Sequence, residues 1–167
     1  KSQLVVYHFM FAPDWQKGCK SCSFWADNFE RSVVHLEHRD VRLVAVSRAP
    51  LSKLSAYAKR LGWTFDWVSS SGSDFNYDFG VSFSPAQLAT GEVAYNFAKQ
   101  KAWGEDLPGI SVFFKDADGT VFHTYSCYAR GLDMMNATYQ YLDLVPKGRD
   151  EGGEAMGWLR IRDEYGA

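Results

Sequence analysis

The sequence is short of several features that would fix a function at once. Its 167 residues include only three cysteines, too few for the disulfide-dense scaffold of a small secreted protein. The formal net charge is −2, which argues against the basic surface that nucleic-acid binding requires. The longest apolar runs are the length of a strand and fall short of the roughly 20 residues of a membrane span. We therefore expect no nucleic-acid partner and no membrane association.

A secretory signal pattern is also missing from the first residues of the sequence. Together with the low cysteine content, this favours a reducing compartment, and we expect a cytoplasmic location. The length suits one domain over 1–167, and the apolar share of 46% is enough for a sizeable core. We expect the charged, glycine-rich tail from about residue 147 to lie at the periphery of that domain.

Two of the cysteines stand close together in the motif Cys19-Lys20-Ser21-Cys22. The motif follows the apolar run LVVYHFMF, and apolar residues then recur at helical spacing over 22–38. A CxxC pair outside a disulfide-dense scaffold is typical of redox catalysis or of metal binding. A zinc site would need two more ligands, and the sequence has no second CxxC and no HxxxH. These observations favour a redox pair, and an inert structural pair or a metal site remain as alternatives.

Downstream of the motif, buried strands alternate with amphipathic helices around one irregular insertion. This alternation predicts a parallel sheet with right-handed crossovers. After the insertion, Pro108 precedes a β-hairpin that turns at Asp118-Gly119. The order is that of the thioredoxin fold, and we predict an α/β three-layer sandwich with helices on both faces of a mixed sheet. The predicted elements are strands 4–11, 41–47, 110–114 and 121–126, helices 22–38, 51–62 and about 132–142, and a middle insertion over about 69–107.

In this arrangement the two cysteines lie where the first strand becomes the first helix. A helix N-terminus carries partial positive charge and unpaired N–H groups, which stabilise a thiolate. We expect Cys19 to be exposed, with its thiol pKa lowered from about 8.5 into the range of roughly 3.5–7.5. Cys22, one turn further, would attack the mixed disulfide. Lys20 adds a positive charge between the two sulfurs.

The sequence also resembles a family at the level of longer segments. MFAPDWQKGCKSCSFWADNF, VSRAPL and PGISVFFKDADGTVFHTYSCYARGLDMMN are similar to segments of the bacterial thioredoxin-like domain-of-unknown-function family 899. The resemblance covers most of the chain, and members of this family are described as predicted dithiol-disulfide oxidoreductases. It implies site roles for Cys19, Cys22 and Pro108, the last as a cis-proline that faces the cysteines. The neighbours of this proline, Leu107 and Gly109, depart from the thioredoxin pattern.

Four further residues are candidates for supporting roles because of where they stand in the chain. Cys127 ends the return strand of the hairpin and is either a second resolving thiol or a semi-buried apolar residue. Arg48 and Arg130 each follow a strand whose end lies near the motif. Either cation would suit a thiolate or an anionic substrate group, and the alternative is an ordinary surface arginine. Trp15, close before the motif, is placed to flank a substrate groove.

The predicted function is thiol–disulfide exchange. The Cys19 thiolate attacks a protein or small-molecule disulfide, Cys22 resolves the mixed disulfide, and an external thiol reductant resets the pair. This chemistry needs no cofactor and no metal. A thiol peroxidase-like enzyme is one alternative, although no Thr or Ser lies between Pro13 and Cys19. A redox-inactive binding or metal module of the same fold is the other.

Overall fold

A five-stranded sheet organises the protein. The architecture comes from a computed structural model that describes residues 1–166. The strands are β1 (Gln3–His8), β2 (Val41–Ser47), β3 (Asp66–Ser69), β4 (Glu92–Tyr95), β5 (Ala98–Lys101), β6 (Gly109–Lys115) and β7 (Val121–Tyr128). The strand order in the main sheet is β3-β2-β1-β6-β7, and β4 and β5 form a separate hairpin. β1 runs parallel to β2 and antiparallel to β6, so the sheet is mixed, as predicted.

Helices cover the two faces of this sheet unequally. They are α1 (Lys20–Ala26), α2 (Val33–Glu37), α3 (Leu51–Leu61), α4 (Phe75–Asp78), α5 (Pro85–Ala89) and α6 (Ala137–Leu142), with 3-10 turns at Ala129–Met135 and Arg162–Glu164. Side chains of α1, α2, α3 and α6 pack into the core on the face that carries Tyr7. His8 points to the opposite face, where its ring lies 5.8 Å from that of Phe75 in α4. The predicted thioredoxin-like sandwich with helices on both faces is confirmed.

Two predicted helices are shorter than their apolar patterns indicated. The segment predicted as one helix over 22–38 is divided into α1 and α2 by a run of turns. The side-chain amide of Asn28 donates to the carbonyls of Phe24 and Trp25 at 2.8 and 3.4 Å and so closes the end of α1. The helix predicted over about 132–142 begins as a 3-10 turn, and α6 starts only after Asn136. None of the helices within residues 1–166 has the length and apolar character needed to cross a bilayer.

Two other helices have terminal residues of the types that commonly begin or end helices. α3 ends at Gly62, whose φ of 63° is one that glycine adopts without steric cost. The hydroxyl of Ser84 accepts the Gln87 N–H at the start of α5. The Gln87 side chain in turn accepts the Ser84 N–H, which completes a capping box and fixes the helix start in the insertion.

The interior consists of one large and one small apolar cluster. The large cluster lies between the sheet and the helices on the Tyr7 face and is rich in aromatic rings, such as Phe9 and Trp67 at 4.5 Å between centroids. The small cluster contains Phe83, Val93, Tyr95 and Leu107, all from the insertion. The insertion therefore has packing of its own rather than being a loose loop.

The C-terminal tail is not peripheral, which corrects the expectation from its composition. Leu159 and Ile161 are each 1% exposed and belong to the large core cluster. Arg60 of α3 forms a salt bridge with Asp163 at 2.7 Å, which holds the end of the tail beside that helix. Two apolar side chains at alternate positions anchor this segment, and the surrounding glycines and charges hide that signal in the sequence.

We predict that Leu159→Ala destabilises the protein by about 2–5 kcal/mol, because it removes a buried side chain and leaves a cavity. Leu144→Ala is the matched control, since Leu144 is 81% exposed in the same half of the chain. The control should change the free energy of unfolding by no more than about 0.5 kcal/mol. Urea unfolding of both variants measures the difference. Equal stability of the two variants would mean that the tail does not belong to the core.

Candidate active site

The CxxC motif lies just beyond the end of β1 and is tied to the chain that leaves this strand. Cys19 is the residue before α1, with φ −56° and ψ 131°. Its N–H donates to the Met10 carbonyl at 3.1 Å, and the Met10 N–H donates to the Cys22 sulfur at 3.4 Å. These bonds hold both cysteines against the same residue of the strand extension.

Gly18, the residue before the motif, packs closely against the ring of Phe9. A Cβ atom at this position would lie 2.8 Å from the ring of Phe9, closer than side-chain carbons pack. Phe9 is 1% exposed and belongs to the large core cluster, so its ring has little room to move. The absence of a side chain at Gly18 therefore allows Cys19 to sit directly over the core.

Cys19 is partly exposed, and the pKa of its thiol is lowered to about 7. The largest cause is a hydrogen bond from the Cys22 thiol, and burial opposes the shift. The backbone N–H groups of Cys22 and Ser21 and the Ser21 side chain also lower this pKa. Hydrogen bonds that favour the charged form lower an acid's pKa, so this thiol ionises closer to neutral pH than an ordinary thiol does.

Cys22 has the opposite character. Its side chain is 1% exposed, and burial is the main reason that its pKa is raised well above the ordinary thiol value. The hydrogen bond to Cys19 and the negative charge there raise the pKa further. The Met10 N–H and the Tyr7 hydroxyl oppose this effect by donating to the Cys22 sulfur. One sulfur of the motif is thus accessible and acidic, and the other is buried and protonated.

Both cysteines open into one cavity of about 250 Å³. Its walls come from β1 and its extension, α1, the end of the insertion, the turn after β7, and the C-terminal tail. Apart from the cysteines, Arg130 is the one lining residue with an ionisable group that is charged at neutral pH. The lining residues are Tyr7, Met10, Cys19, Ser21, Cys22, Trp25, Trp103, Pro108, Ala129, Arg130, Leu132 and Met156.

Pro108 lines this cavity, but it is not a cis-proline. All peptide bonds within residues 1–166 are trans, which corrects the geometry that the resemblance implied. The preceding chain is extended against the insertion, where the Leu107 N–H donates to the Val81 carbonyl at 2.8 Å. A bridge between Ser82 and Asp106 continues this pairing. The chain therefore enters β6 as an extended strand, and a trans bond at Pro108 fits that path.

Tyr95 of the insertion fixes two lining residues at once. Its hydroxyl donates to the Pro108 carbonyl at 2.6 Å and accepts the Ala129 N–H at 2.9 Å. Ala129 has a φ of 48°, a left-handed conformation that costs a non-glycine residue energy unless its surroundings hold it. Tyr95 is 3% exposed, so a buried side chain of the insertion supports the proline wall of the cavity.

Trp103 and Met156 are site residues that sequence reasoning missed. Trp103 lines the cavity and is 61% exposed. Its signal was available, since it is an isolated aromatic in the polar stretch KQKAWGED shortly before Pro108. Met156 lies in the tail that was expected to be peripheral, and nothing in its local sequence indicates contact with the cysteines.

Two of the predicted cations lie at the site, but each has another partner. Arg130 lines the cavity, where its guanidinium donates to Asp133 at 2.7 Å. Lys20 points along the tail and donates to the Met156 carbonyl at 3.2 Å, rather than lying between the sulfurs. Neither residue is among the causes that lower the pKa of Cys19.

Arg48 and Trp15 lie away from the cavity. Arg48 is bound to the segment before Pro108, with its Nε donating to Asp106 at 2.7 Å. Trp15 packs against the large core, and its backbone carbonyl accepts from Lys53 of α3 at 3.0 Å. The aromatic residue outside the core that lines the cavity is Trp103, and Trp15 does not line it.

Cys127 lies on the Tyr7 face but not at the motif. It pairs with Ile110 in the register of β6 and β7 and lines a different cavity, of about 500 Å³, between the sheet and the helices. Its thiol donates to the Gly131 carbonyl at 3.7 Å, and burial raises its pKa. This placement fits the semi-buried apolar residue rather than a second resolving thiol. Within residues 1–166, no three His, Cys, Asp or Glu side chains are grouped so as to hold a metal ion.

Comparison with solved structures gives the same fold. A cysteine-to-serine mutant of PrxQ from Xylella fastidiosa has a TM-score of 0.50 at 10% identity, over 84% of this chain and 77% of that chain. A cysteine-to-serine mutant of Peroxiredoxin Q from Xanthomonas campestris has a TM-score of 0.49 at 14% identity, over 83% and 78% of the two chains. Peroxidoxin BcpB from Mycobacterium tuberculosis has a TM-score of 0.47 at 14% identity, over 83% and 79%. At such identities a likeness concerns the fold alone.

Comparison at the level of sequence gives a family. No curated protein matched the sequence significantly. A family model described as "Bacterial protein of unknown function (DUF899)" matches residues 1–165, nearly the whole chain. The thioredoxin-like architecture and the CxxC motif both lie within that match. The chain therefore belongs to the DUF899 family of bacterial proteins.

Proposed function

We propose that the protein is a thiol–disulfide oxidoreductase in which Cys19 is the nucleophile and Cys22 the resolving thiol. The asymmetry of the pair carries this proposal. Cys19 is accessible with a pKa of about 7, whereas Cys22 is buried with a raised pKa. An attacking thiol works best when its pKa is near the ambient pH, because nucleophilicity falls as the pKa falls further.

In the first step the Cys19 thiolate attacks one sulfur of a substrate disulfide. The substrate S–S bond breaks, a mixed disulfide forms on Cys19, and the second substrate sulfur leaves as a thiolate that takes a proton from solvent. The donors from Ser21 and Cys22 stabilise the attacking thiolate before this step.

In the second step Cys22 attacks the Cys19 sulfur and releases the bound half of the substrate as a thiol. Forming the mixed disulfide removes the negative charge on Cys19, which is one of the causes that raise the Cys22 pKa. The Met10 N–H and the Tyr7 hydroxyl then stabilise the Cys22 thiolate. The products are the oxidised Cys19–Cys22 pair and two substrate thiols, and an external thiol reductant restores the pair with two electrons.

Residues of the insertion position the proline wall for this chemistry. Tyr95 holds Pro108 and Ala129, as described above. Arg48 acts on Pro108 indirectly, through Asp106. The Asp106 carboxylate accepts hydrogen bonds from the Arg48 Nε at 2.7 Å and from the Ser82 hydroxyl at 2.6 Å. We assign Arg48 to the alignment of the segment before Pro108 rather than to the thiolate. A cytoplasmic location, where thiol reductants are abundant, remains a prediction that suits this cycle.

Substitution of the cysteines tests the proposal and the two alternatives, peroxide reduction and redox-inactive binding. We predict that Cys19→Ser abolishes exchange with a model disulfide, because it removes the nucleophile. Cys22→Ser should instead accumulate a mixed disulfide on Cys19, and Cys127→Ser is the matched control that keeps full activity. The rate at which the disulfide is consumed measures exchange, and the intact mass of the protein detects the mixed disulfide.

The same variants separate the alternatives. If the reduced protein reduces hydrogen peroxide but does not react with the model disulfide, a peroxidase is favoured. A Cys19→Ser variant as active as its parent in exchange would eliminate the proposed nucleophile. If neither substrate oxidises the parent protein, a binding module becomes the better account.

The pH dependence of Cys19 alkylation is a separate prediction. In a Cys127→Ser background, the alkylation rate should rise with pH through a midpoint of about 7, since the thiolate is the reactive form. Cys22→Ala should move the midpoint upward, because the Cys22 thiol is the largest cause of the lowered pKa. Mass spectrometry of the Cys19 adduct gives the rates. A midpoint that stays the same in the variant would contradict the assigned cause.

A further inference from the structure

We propose that the substrates of this site are small, uncharged, apolar disulfides. The inference rests on the proposed exchange reaction and names the substrate class that the cavity beside Cys19 accepts. It follows from the chemical character of the cavity walls, from the pairing of the charges around them, and from the volume of the cavity.

The walls beside the cysteines are almost wholly hydrocarbon or aromatic. Trp25 and Leu132 line one part, where the Trp25 indole N–H is already bound to the Leu132 carbonyl at 2.7 Å. Met10, Met156 and Trp103 complete the apolar lining. Methionine side chains are flexible and polarisable, and they adapt to apolar groups of different shape. A substrate in this cavity therefore meets mainly carbon and sulfur, and Tyr7, Ser21 and Arg130 are the lining residues with a polar side-chain group besides the bonded indole of Trp25 and the exposed Trp103.

The one cation that lines the cavity, Arg130, is already paired with a carboxylate of the protein. The Arg130 guanidinium donates to Asp133 at 2.7 Å and lies 5.1 Å from the centre of the Tyr139 ring. The Lys20 ammonium does not line the cavity, and its hydrogen bond to the Met156 carbonyl holds it along the tail. A charged group placed in an apolar site loses hydration and needs an opposite charge in return. Carboxylate-bearing disulfides such as oxidised glutathione would find no such compensation here.

The cavity volume sets the size of the group that enters. About 250 Å³ lies below the roughly 300–1,000 Å³ of pockets that hold drug-sized ligands. The C-terminal tail at Met156 and the insertion at Trp103 bound the cavity on two sides and limit the approach of a bulky partner. Short alkyl groups on either side of a disulfide fit this space, with one sulfur next to Cys19.

The reaction that follows is the exchange already described, with R–S–S–R as the oxidant. The Cys19 thiolate forms a bond to one sulfur, the R–S–S–R bond breaks, and RS⁻ leaves and is protonated to RSH. Cys22 then loses its proton and displaces the second RSH. The substrate gains two electrons, the cysteine pair loses two, and a dithiol reductant regenerates the protein.

Single-turnover oxidation of the reduced Cys127→Ser protein tests the proposal. The oxidants are diethyl disulfide, oxidised glutathione and insulin, and each rate is divided by the rate of the same oxidant with dithiothreitol. This ratio removes differences in intrinsic reactivity. We expect the ratio for diethyl disulfide to exceed both others at least about tenfold, because the cavity excludes charge and bulk. Insulin represents the protein-bound source of disulfides.

Two test variants and one control variant examine the cavity wall and the paired charge. Trp103→Ala should lower the diethyl disulfide ratio several-fold and leave the glutathione ratio unchanged. Phe97→Ala is its control, since Phe97 is an aromatic of the same insertion that is 83% exposed and does not line the cavity. Asp133→Asn removes the carboxylate that neutralises Arg130, so it should raise the ratio for oxidised glutathione alone.

The outcomes separate this inference from the proposed function. If none of the three oxidants converts Cys19 and Cys22 to a disulfide, the oxidoreductase proposal itself fails. If oxidised glutathione or insulin matches or exceeds diethyl disulfide, exchange stands and the apolar substrate class is overturned. An equal effect of Trp103→Ala and Phe97→Ala would likewise contradict the role of the cavity wall.

Discussion

The hydrogen bonds that converge on the Cys19 sulfur are the interaction on which the proposed chemistry depends. The Cys22 thiol and two backbone N–H groups of the motif donate to this sulfur, and they outweigh the burial that would otherwise raise its pKa. The interaction with Cys19 also raises the pKa of Cys22, so Cys22 keeps its proton until Cys19 has formed the mixed disulfide. A CxxC spacing at a strand-to-helix junction supplies this geometry, because it brings the second thiol one turn after the first.

Part of the surroundings of the motif comes from segments that a minimal thioredoxin-like order would leave out. The insertion contributes Trp103 and, through Tyr95, the position of Pro108. The C-terminal tail contributes Met156 and is anchored by Leu159 in the core. These additions enclose the cysteines in an apolar cavity, and we infer that they determine the substrate rather than the reaction.

Much of the fold and the centre of the site were predictable from the sequence, because they depend on local signals. The buried strand over 41–47, the glycine stop at Gly62 and the CxxC motif are patterns of adjacent residues. The cavity walls depend on long-range packing, so Trp103 and Met156 carry no periodic signal. The same reason explains why the partner of Arg48 could not be predicted, since Asp106 lies 58 positions along the chain.

The equilibrium reduction potential of the Cys19–Cys22 pair tests the central claim most directly. A strongly acidic thiol, with a pKa of about 3.5, stabilises the reduced form and makes an oxidant near −120 mV, whereas a pKa near 7 accompanies potentials of about −270 mV. Since the pKa of Cys19 is about 7, we predict a reversible two-electron transition near the reducing value. A potential near −120 mV, or no reversible transition, would contradict the account.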